Sequence, residues 1–155
     1  MDRIDVGVVG ATGMVGQNYI RLLAVHPWFR VTHVSASSRS AGKTYAEAVA
    51  GRWLMDEPMP SDVADLVVID ATDLEAAAES CAFVFSAVGM AKDAVRQLES
   101  SYAGAGLPVI SNNSAHRMTE DVPMLIPEVN PGHTSIIPWQ QERRGWDKGF
   151  IAAKP

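Results

Sequence analysis

The chain has 155 residues with a formal net charge of −5; 47% of the residues are hydrophobic and 20% are charged. This length predicts one domain with a sizeable core, and the negative charge argues against a nucleic-acid or anionic-membrane surface as the main function. The single cysteine, Cys81, excludes an internal disulfide and favours a cytoplasmic location. No signal-peptide pattern, membrane-spanning apolar run or metal-ligand spacing is visible in the sequence.

Short apolar runs alternate along the chain with longer amphipathic stretches. The predicted strands are 4–9, 31–35, 66–70, 83–87 and 109–111. The predicted helices are 14–25, 74–80, 93–103 and 133–144, with a loop at 58–62. Nearly continuous apolar strands between helices are typical of a parallel sheet covered on both faces. The sequence therefore predicts a single-domain α/β fold with a doubly wound, mostly parallel Rossmann-type sheet.

Three glycines at the end of the first predicted strand form a pattern with a physical meaning. Gly10, Gly13 and Gly16 follow the apolar run 6–9 and open an apolar-periodic helix. In such a unit the first glycine lets the chain reverse, the second lets backbone N–H groups approach a pyrophosphate, and the third lets the helix pack against the strand. The start of the helix then holds the anion. The spacing G-x-x-G-x-x-G predicts a dinucleotide site; a tight turn without a ligand is the alternative.

The second predicted strand ends without the acidic residue that an NAD site normally uses for the ribose 2′-hydroxyl. Between positions 6 and 46 there is no Asp or Glu, and the strand leads into Ser37, Ser38, Arg39 and Ser40, followed by Lys43. Serine hydroxyls and an arginine satisfy a 2′-phosphate, which a carboxylate would repel. The pattern favours NADP over NAD. A solvated polar loop with two unrelated cations is the alternative.

Two later strands end in small or polar residues at the edge where open α/β sheets bind ligands. The fourth runs into Ser86, Ala87 and Gly89, which are small enough for close approach of a cofactor. The fifth runs into a polar cluster: Ser111, Asn112, Asn113, Ser114, His116 and Arg117. Arg117 is the candidate for binding a carboxylate or phosphate, because its guanidinium fork matches either group. A structural Arg117 paired with Glu120 or Asp121 stays open, and His116 is interpreted as structural or at the edge of the site.

Cys81 precedes the fourth predicted strand and therefore lies near the amino end of that strand, the edge opposite the ligands. No Arg, Lys or His close to it in the sequence would lower the pKa of its thiol. We interpret Cys81 as a small buried side chain and not as a nucleophile.

Five segments together resemble the amino-terminal half of aspartate-semialdehyde dehydrogenase, in particular its archaeal and fungal-like branch. They are VVGATGMVG at 8–16, SSRSAGK at 37–43, FVFSAVG at 83–89, SNNSAHR at 111–117 and VPMLIPEVN at 122–130. The last two segments are more specific than the glycine turn. The resemblance implies an NADP-dependent oxidoreductase of the aspartate pathway, which leads to lysine, threonine and methionine.

The resemblance also implies roles for individual residues. Contacts to the pyrophosphate would come from Thr12, Gly13, Met14 and Val15. The 2′-phosphate would be held by Ser38, Arg39 and Ser40, and the cofactor would be lined by Ser86, Ala87 and Gly89. Asn113 and Arg117 would bind phosphate or the acyl-phosphate substrate.

The chain departs from the family pattern at its carboxyl end. The family's nucleophile is a cysteine in a Pro-Asn-Cys-Ser/Thr motif, and a general-base histidine follows much later. This chain stops at Lys154 and Pro155, where that motif should begin. We therefore expect a cofactor domain without the catalytic cysteine and histidine and without the substrate and dimerisation domain. Alone it should be inactive, whereas the intact protein should act on a small-molecule substrate as a homo-oligomer.

Other classes of protein also fit the glycine turn: related reductases, a non-catalytic module and an extended short-chain dehydrogenase. N-acetyl-glutamyl-phosphate reductase and malonyl-CoA reductase share the architecture and remain alternatives, as does a non-catalytic NADP-binding module. An extended short-chain dehydrogenase also uses G-x-x-G-x-x-G but needs a Tyr-x-x-x-Lys dyad. The three tyrosines are followed four positions later by Leu23, Val49 and Gly106, so this interpretation is rejected.

Overall fold

Within residues 2–155, which the computed structural model describes, six strands form one parallel sheet in the order β3-β2-β1-β4-β5-β6. Met1, the first residue of the amino terminus that shows no signal-peptide pattern, lies outside the described residues. The strands are β1 (Ile4–Val9), β2 (Phe29–Ala36), β3 (Ile69–Asp70), β4 (Phe83–Ser86), β5 (Val109–Ser111) and β6 (Ile151–Ala153). This is the strand order of a doubly wound dinucleotide-binding sheet, so the predicted fold class is confirmed.

Helices cover both faces of the sheet. They are α1 (Met14–Leu23), α2 (Tyr45–Ala48), α3 (Ser61–Ala64), α4 (Leu74–Ser80), α5 (Lys92–Gly104) and α6 (Ile137–Arg144), with a 3₁₀ helix at Pro131–Ile136 before α6. None of the helices in the described part of the chain is long and apolar enough to cross a membrane.

Alternation along β1 divides the core between the two faces. Val6 and Val8 belong to a cluster with Ile20 of α1, whereas Val9 belongs to a second cluster with Val95 of α5. All five side chains are almost completely buried. Because successive side chains of a strand point to opposite faces, a strand that is apolar at every position must be covered on both sides. This is why the near-continuous apolar run predicted the layered architecture.

Prolines set two helix boundaries differently from the prediction. The first helix ends at Leu23 rather than at position 25, because Pro27 disfavours helical geometry at the residue before it. The predicted helix 133–144 is a 3₁₀ helix up to Ile136 and an α-helix only from Ile137. Pro138 lacks an N–H group and its ring would clash with the preceding turn of an α-helix, so it can occupy only the first turn.

The third strand is shorter than predicted. The pattern indicated a strand over 66–70, but only Ile69–Asp70 pairs with β2. Val67 instead forms an antiparallel bridge with Thr44, and the N–H of Val68 donates to the carbonyl of Lys43 at 2.8 Å. Positions 66–68 therefore hold the long segment between β2 and β3 against the edge of the sheet.

Three short elements were not predicted. The strand β6 pairs with β5 at the sheet edge through Val109 and Ile151. The helix α2 carries a capping box, since Thr44 accepts from the N–H of Glu47 at 3.2 Å and donates its own N–H to the Glu47 carboxylate at 3.0 Å. The segment 58–62, predicted as a loop, includes the start of α3 at Ser61. Each has only three or four residues, and none of the three stands out as an apolar run or as an amphipathic period in the sequence.

Candidate functional site

The carboxyl ends of β1, β2, β3 and β4 surround one cleft of about 500 Å³. It lies where β1 is flanked by β2 on one side and β4 on the other, so the chain reverses the direction in which strands are added. This switch point is where open α/β sheets bind ligands. The lining residues are Gly10, Thr12 and Gly13 after β1; Ala36, Ser37, Ser38 and Arg39 at β2; Asp70, Ala71 and Thr72 at β3; Ala87, Val88, Gly89 and Met90 after β4; and Leu98 of α5.

The glycine turn shows three different reasons for glycine. Gly10 has φ +81°, and a Cβ there would lie 2.7 Å from the backbone of Ala87. A Cβ on Gly16 would overlap the carbonyl oxygen of Gly10. Gly13 has φ −79°, and a Cβ there would meet only the Gly10 oxygen at 4.0 Å. The fold itself therefore requires glycine at positions 10 and 16, whereas position 13 borders open space in the cleft.

The start of α1 offers unsatisfied donors to this space. The N–H groups of Gly10 and Ala11 donate to the carbonyl of Ser35 at 2.9 and 3.0 Å, which ties the turn to β2. The N–H groups of α1 from Met14 to Gly16 lack an intrahelical acceptor, because the first helical bond is donated by Gln17 to the carbonyl of Gly13. No acidic side chain lies in the first turn. Free N–H groups and the positive end of the helix dipole are suited to an anion such as a pyrophosphate.

Two buried side chains hold the turn from behind. Tyr45 of α2 donates its hydroxyl to the carbonyl of Ala11 at 2.7 Å, and burial raises the pKa of this phenol. Gln17 donates to the carbonyls of Thr12 at 3.0 Å and Arg52 at 2.9 Å. These bonds connect the glycine turn to the long segment between β2 and β3. Sequence reasoning missed both residues, because the bonds from Tyr45 to Ala11 and from Gln17 to Arg52 join positions more than 30 residues apart, which no local pattern records.

A second cavity of about 280 Å³, which we call the side pocket, adjoins the cleft. Its polar lining consists of Thr12, Ser37, Arg39, Ser40, Lys43 and Arg52. Thr12, Ser37 and Arg39 border both cavities. The predicted residues Ser38 and Arg39 line the cleft, whereas Ser40 is buried and faces only the side pocket. Arg52 was missed, since it lies in an irregular segment without any motif.

The end of β3 adds a carboxylate to the cleft. Asp70 accepts hydrogen bonds from the N–H of Thr72 at 2.9 Å and from its hydroxyl at 2.7 Å. These bonds hold the pKa of Asp70 below its ordinary value, so the group is ionised at neutral pH. Asp70 was predicted only as the last residue of a strand. The rule that ligands bind at strand ends would have included it.

Beyond β4, the predicted residues divide between two places. Ala87 and Gly89 line the cleft, but Ser86 is buried and lies 3.5 Å from the amide nitrogen of Asn113. Asn113 also donates its backbone N–H to the hydroxyl of Ser111 at 3.1 Å. That hydroxyl donates to the carboxyl of Glu99 at 2.8 Å. Burial raises the pKa of Glu99 to about 7, and Ser111 opposes this shift only partly.

Arg117 is held by main-chain carbonyls. Its Nε donates to Lys154 at 2.8 Å and its Nη2 donates to Asn112 at 3.2 Å. The acidic partners considered in the sequence analysis belong to other arginines, since Glu120 pairs with Arg143 and Asp121 with Arg144. The guanidinium of Arg117 therefore has no carboxylate partner among the described residues. Neither Asn113 nor Arg117 lines the cleft.

The structure places His116 and Cys81 outside the cleft. His116 is 2% exposed and contacts Thr119 at 3.1 Å, and burial together with Arg144 lowers its pKa to about 4. Cys81 follows α4 and donates its thiol to the carbonyl of Ala77 at 3.2 Å. Burial, with a contribution from Asp5, raises the pKa of Cys81 to about 12. Neither group is charged at neutral pH. No group of three possible metal ligands occurs within residues 2–155.

Comparison with known proteins identifies similar sequences and structures. The family described as semialdehyde dehydrogenase, NAD binding domain, matches residues 5–137. An aspartate-semialdehyde dehydrogenase of Archaeoglobus fulgidus is 46% identical over 153 residues, covering 99% of this chain and 42% of the relative. One from Cryptococcus neoformans is 43% identical over 149 residues, covering 96% and 40%. The chain thus spans less than half the length of these relatives.

A solved structure gives the same result for the fold. The crystal structure of an aspartate-semialdehyde dehydrogenase with NADP from Candida albicans superposes with a TM-score of 0.82 at 38% sequence identity. The superposition covers 98% of this chain and 42% of that protein.

Proposed function

This chain belongs to the semialdehyde dehydrogenase NAD-binding domain family, and we propose that it binds NADP as the cofactor-binding part of an aspartate-semialdehyde dehydrogenase. The reaction would be the phosphate-dependent oxidation of L-aspartate 4-semialdehyde to 4-aspartyl phosphate, which biosynthesis runs in reverse. The relatives carry this name over more than twice the length of this chain, so substrate and reaction rest on the likeness. The cofactor supplies the hydride acceptor when it is bound.

One observation carries the proposal: the cleft at the switch point adjoins a side pocket lined by cations and hydroxyls. A dinucleotide needs a surface for its pyrophosphate, and NADP also needs a positive site for its 2′-phosphate. The first need is matched by Gly13 and the N–H groups at the start of α1. The second is matched by Ser38, Arg39 and Ser40, in the roles inferred from the resemblance.

We assign the remaining predicted residues by their positions. Thr12, Met14 and Val15 belong to the pyrophosphate turn with Gly10 and Gly16. Ala87 and Gly89 form the wall of the cleft at β4, which leaves room for a flat ring because neither carries a large side chain. In this proposal Asn113 and Arg117 bind a phosphate or carboxylate of the substrate, with Ser86 positioning Asn113.

The proposal also gives Cys81 no chemical role. Covalent oxidation of an aldehyde needs a thiolate beside the hydride acceptor. The thiol of Cys81 is protonated and lies at the amino edge of the sheet, away from the cleft. We therefore propose that residues 1–155 bind cofactor without catalysing the reaction on their own.

Calorimetric titration of residues 1–155 with NADP and with NAD tests the proposal. We expect saturable binding of both, with NADP bound at least about 10-fold more tightly, the value of one charged hydrogen bond. Adenosine 2′,5′-bisphosphate should compete with NADP, and 5′-AMP should compete less well. The absence of dinucleotide binding, or equal affinities for NAD and NADP, would contradict the proposal.

A further inference from the structure

Three cationic side chains converge on the side pocket without carboxylate partners. Arg39, Lys43 and Arg52 line it, and the ion pairs found within residues 2–155 all involve other arginines. The whole chain carries a net charge of −5, so this local excess of positive charge runs against the composition. Like charges around a cavity of about 280 Å³ repel one another unless an anion lies between them.

Hydrogen bonds restrain the backbone of Arg52 and one end of its exposed guanidinium in the absence of a ligand. Arg52 lies after α2, where its N–H donates to the carbonyl of Val49 at 2.8 Å and its carbonyl accepts from the buried side chain of Gln17 at 2.9 Å. Its guanidinium donates through Nη2 to the carbonyl of Ala48 at 2.6 Å. This contact leaves Nε and Nη1 as donors with no acceptor in the described part of the chain. A group already held in place loses less entropy when it binds.

The position of the pocket selects the kind of anion. Because Thr12, Ser37 and Arg39 border both cavities, a ribose bound beside these residues in the cleft would have the side pocket within reach of its substituents. Hydroxyls from Ser37, Ser40 and Thr12 add hydrogen-bond donors to the charges. A phosphate monoester accepts from several donors and carries nearly two charges, whereas a ribose hydroxyl carries none.

We propose that Arg52 is a specificity-determining residue, whose guanidinium binds the 2′-phosphate of NADP in the side pocket together with Arg39. This rests on the proposed function. Arg39 lies at the border of the two cavities, whereas Arg52 and Lys43 face only the side pocket. Arg52 therefore acts on the 2′-phosphate alone and leaves the part shared by NAD and NADP untouched.

The test compares NADP and NAD binding in Arg52→Gln, which removes the charge but keeps an amide donor for the carbonyl of Ala48. We expect the affinity for NADP to fall about 10- to 100-fold, the range for a hydrogen bond to a charged group, with NAD affinity unchanged. Arg52→Lys should keep most of the NADP affinity, because it keeps the charge. Arg30→Gln is the matched control, since Arg30 pairs with Asp5 near the amino end of β2.

The outcomes separate this inference from the proposed function. If the unmodified chain binds neither dinucleotide, the proposed function fails before the variants are compared. If it binds NADP but Arg52→Gln leaves NADP affinity unchanged, or lowers NADP and NAD affinity equally, the role of Arg52 is overturned. Thermal unfolding establishes that each variant is folded. Lys43→Gln is a second test variant, because within residues 2–155 only the backbone of Lys43 forms hydrogen bonds. It should also lower NADP affinity selectively.

Discussion

The glycines of the turn differ at the scale of single atoms, although they look equivalent in the sequence. Gly10 and Gly16 are surrounded by backbone within contact distance, whereas Gly13 faces open space. Substitutions at these positions should therefore fail for different reasons, one affecting the fold and the other affecting the ligand.

Gly13→Val should leave the fold intact and weaken NADP binding by at least about 10-fold, because a branched side chain occupies the space where the pyrophosphate meets the turn. Thermal unfolding and calorimetric titration measure the two effects separately. Gly16→Ala is the comparison variant, in which unfolding temperature should fall, since its Cβ overlaps the turn. NADP affinity at the unmodified level in Gly13→Val would refute the pyrophosphate site.

Arg39→Ala should weaken NADP binding by about 1.5–3 kcal/mol, the value of a hydrogen bond to a charged group. The affinity for NAD should stay nearly unchanged, because NAD has no 2′-phosphate. Titration of both dinucleotides into the same protein preparation measures the difference. Equal losses for the two would assign Arg39 to the shared part of the cofactor and remove it from the 2′-phosphate site.

At the scale of elements, the short helix α2 supports the site through one buried hydrogen bond. Tyr45→Phe removes the donor to the carbonyl of Ala11 and leaves that oxygen unpaired in the interior. We expect the free energy of unfolding to fall by about 1–2 kcal/mol. Denaturant titration measures this loss.

The matched control for Tyr45 lies on α1. Tyr19 also buries its hydroxyl, but that oxygen has no hydrogen-bond partner among the described residues, and its ring stacks on Phe85 at 5.0 Å. Tyr19→Phe should therefore cost nothing or stabilise the chain slightly. Equal destabilisation by the two variants would show that the bond to Ala11 has no special value.

The contact between α5 and β5 buries a carboxyl group and makes stability depend on pH. Burial raises the pKa of Glu99 from 4.5 to about 7, so the folded chain favours the neutral acid. Between these values the unfolded chain ionises first, so the free energy of unfolding falls as the pH rises from 4.5 to about 7. Above that range both states are ionised, and no further loss follows.

Glu99→Gln should raise the free energy of unfolding at pH 8 by roughly 1–3 kcal/mol, because the amide cannot ionise. It should also remove the decline between pH 5 and pH 7, which denaturant titrations across this range measure. Glu79→Gln is the control, since this exposed glutamate on α4 forms no ion pair with any residue from 2 to 155. A pH profile in Glu99→Gln that matches the unmodified chain would contradict the assignment.

At the scale of the whole molecule, the parallel sheet gives the domain two unlike edges. The carboxyl ends of the strands collect the glycine turn, the cations and Asp70, whereas the amino ends receive Cys81. A parallel arrangement makes this separation unavoidable, because every strand points the same way.

Cys81→Ser should therefore leave NADP affinity unchanged within about twofold, because the side chain lies far from the cleft and the serine keeps a donor for Ala77. Neither form of residues 1–155 should reduce NADP in the presence of aspartate semialdehyde and phosphate. Absorbance of the reduced nicotinamide measures turnover. Activity in the unmodified chain that Cys81→Ser abolishes would overturn both the site and the role of Cys81.

The family and the layered fold were predictable from sequence, and both predictions are confirmed. Both predictions rest on local patterns. An apolar run such as 6–9 indicates a strand buried on both faces, and the glycine spacing indicates a turn in which a side chain would clash with the backbone. The roles of individual site residues stay predictions. The predicted helix boundaries were wrong near Pro27 and Pro138, because a proline restricts the backbone beyond its own position. The predicted start of β3 was wrong because Val67 pairs with the distant Thr44 and not with β2.

The glycine turn, the lack of an acid between positions 6 and 46 and the parallel sheet were predictable from sequence, because each depends on residues that are neighbours in the chain. That Gln17, Tyr45 and Arg52 meet at the glycine turn and the side pocket is visible only in the folded chain. The same is true of Arg117, which is held by carbonyls rather than by acids. The physical reason is that a hydrogen bond or a shared cavity depends on where two distant segments fold back, and their spacing in the chain does not encode that position.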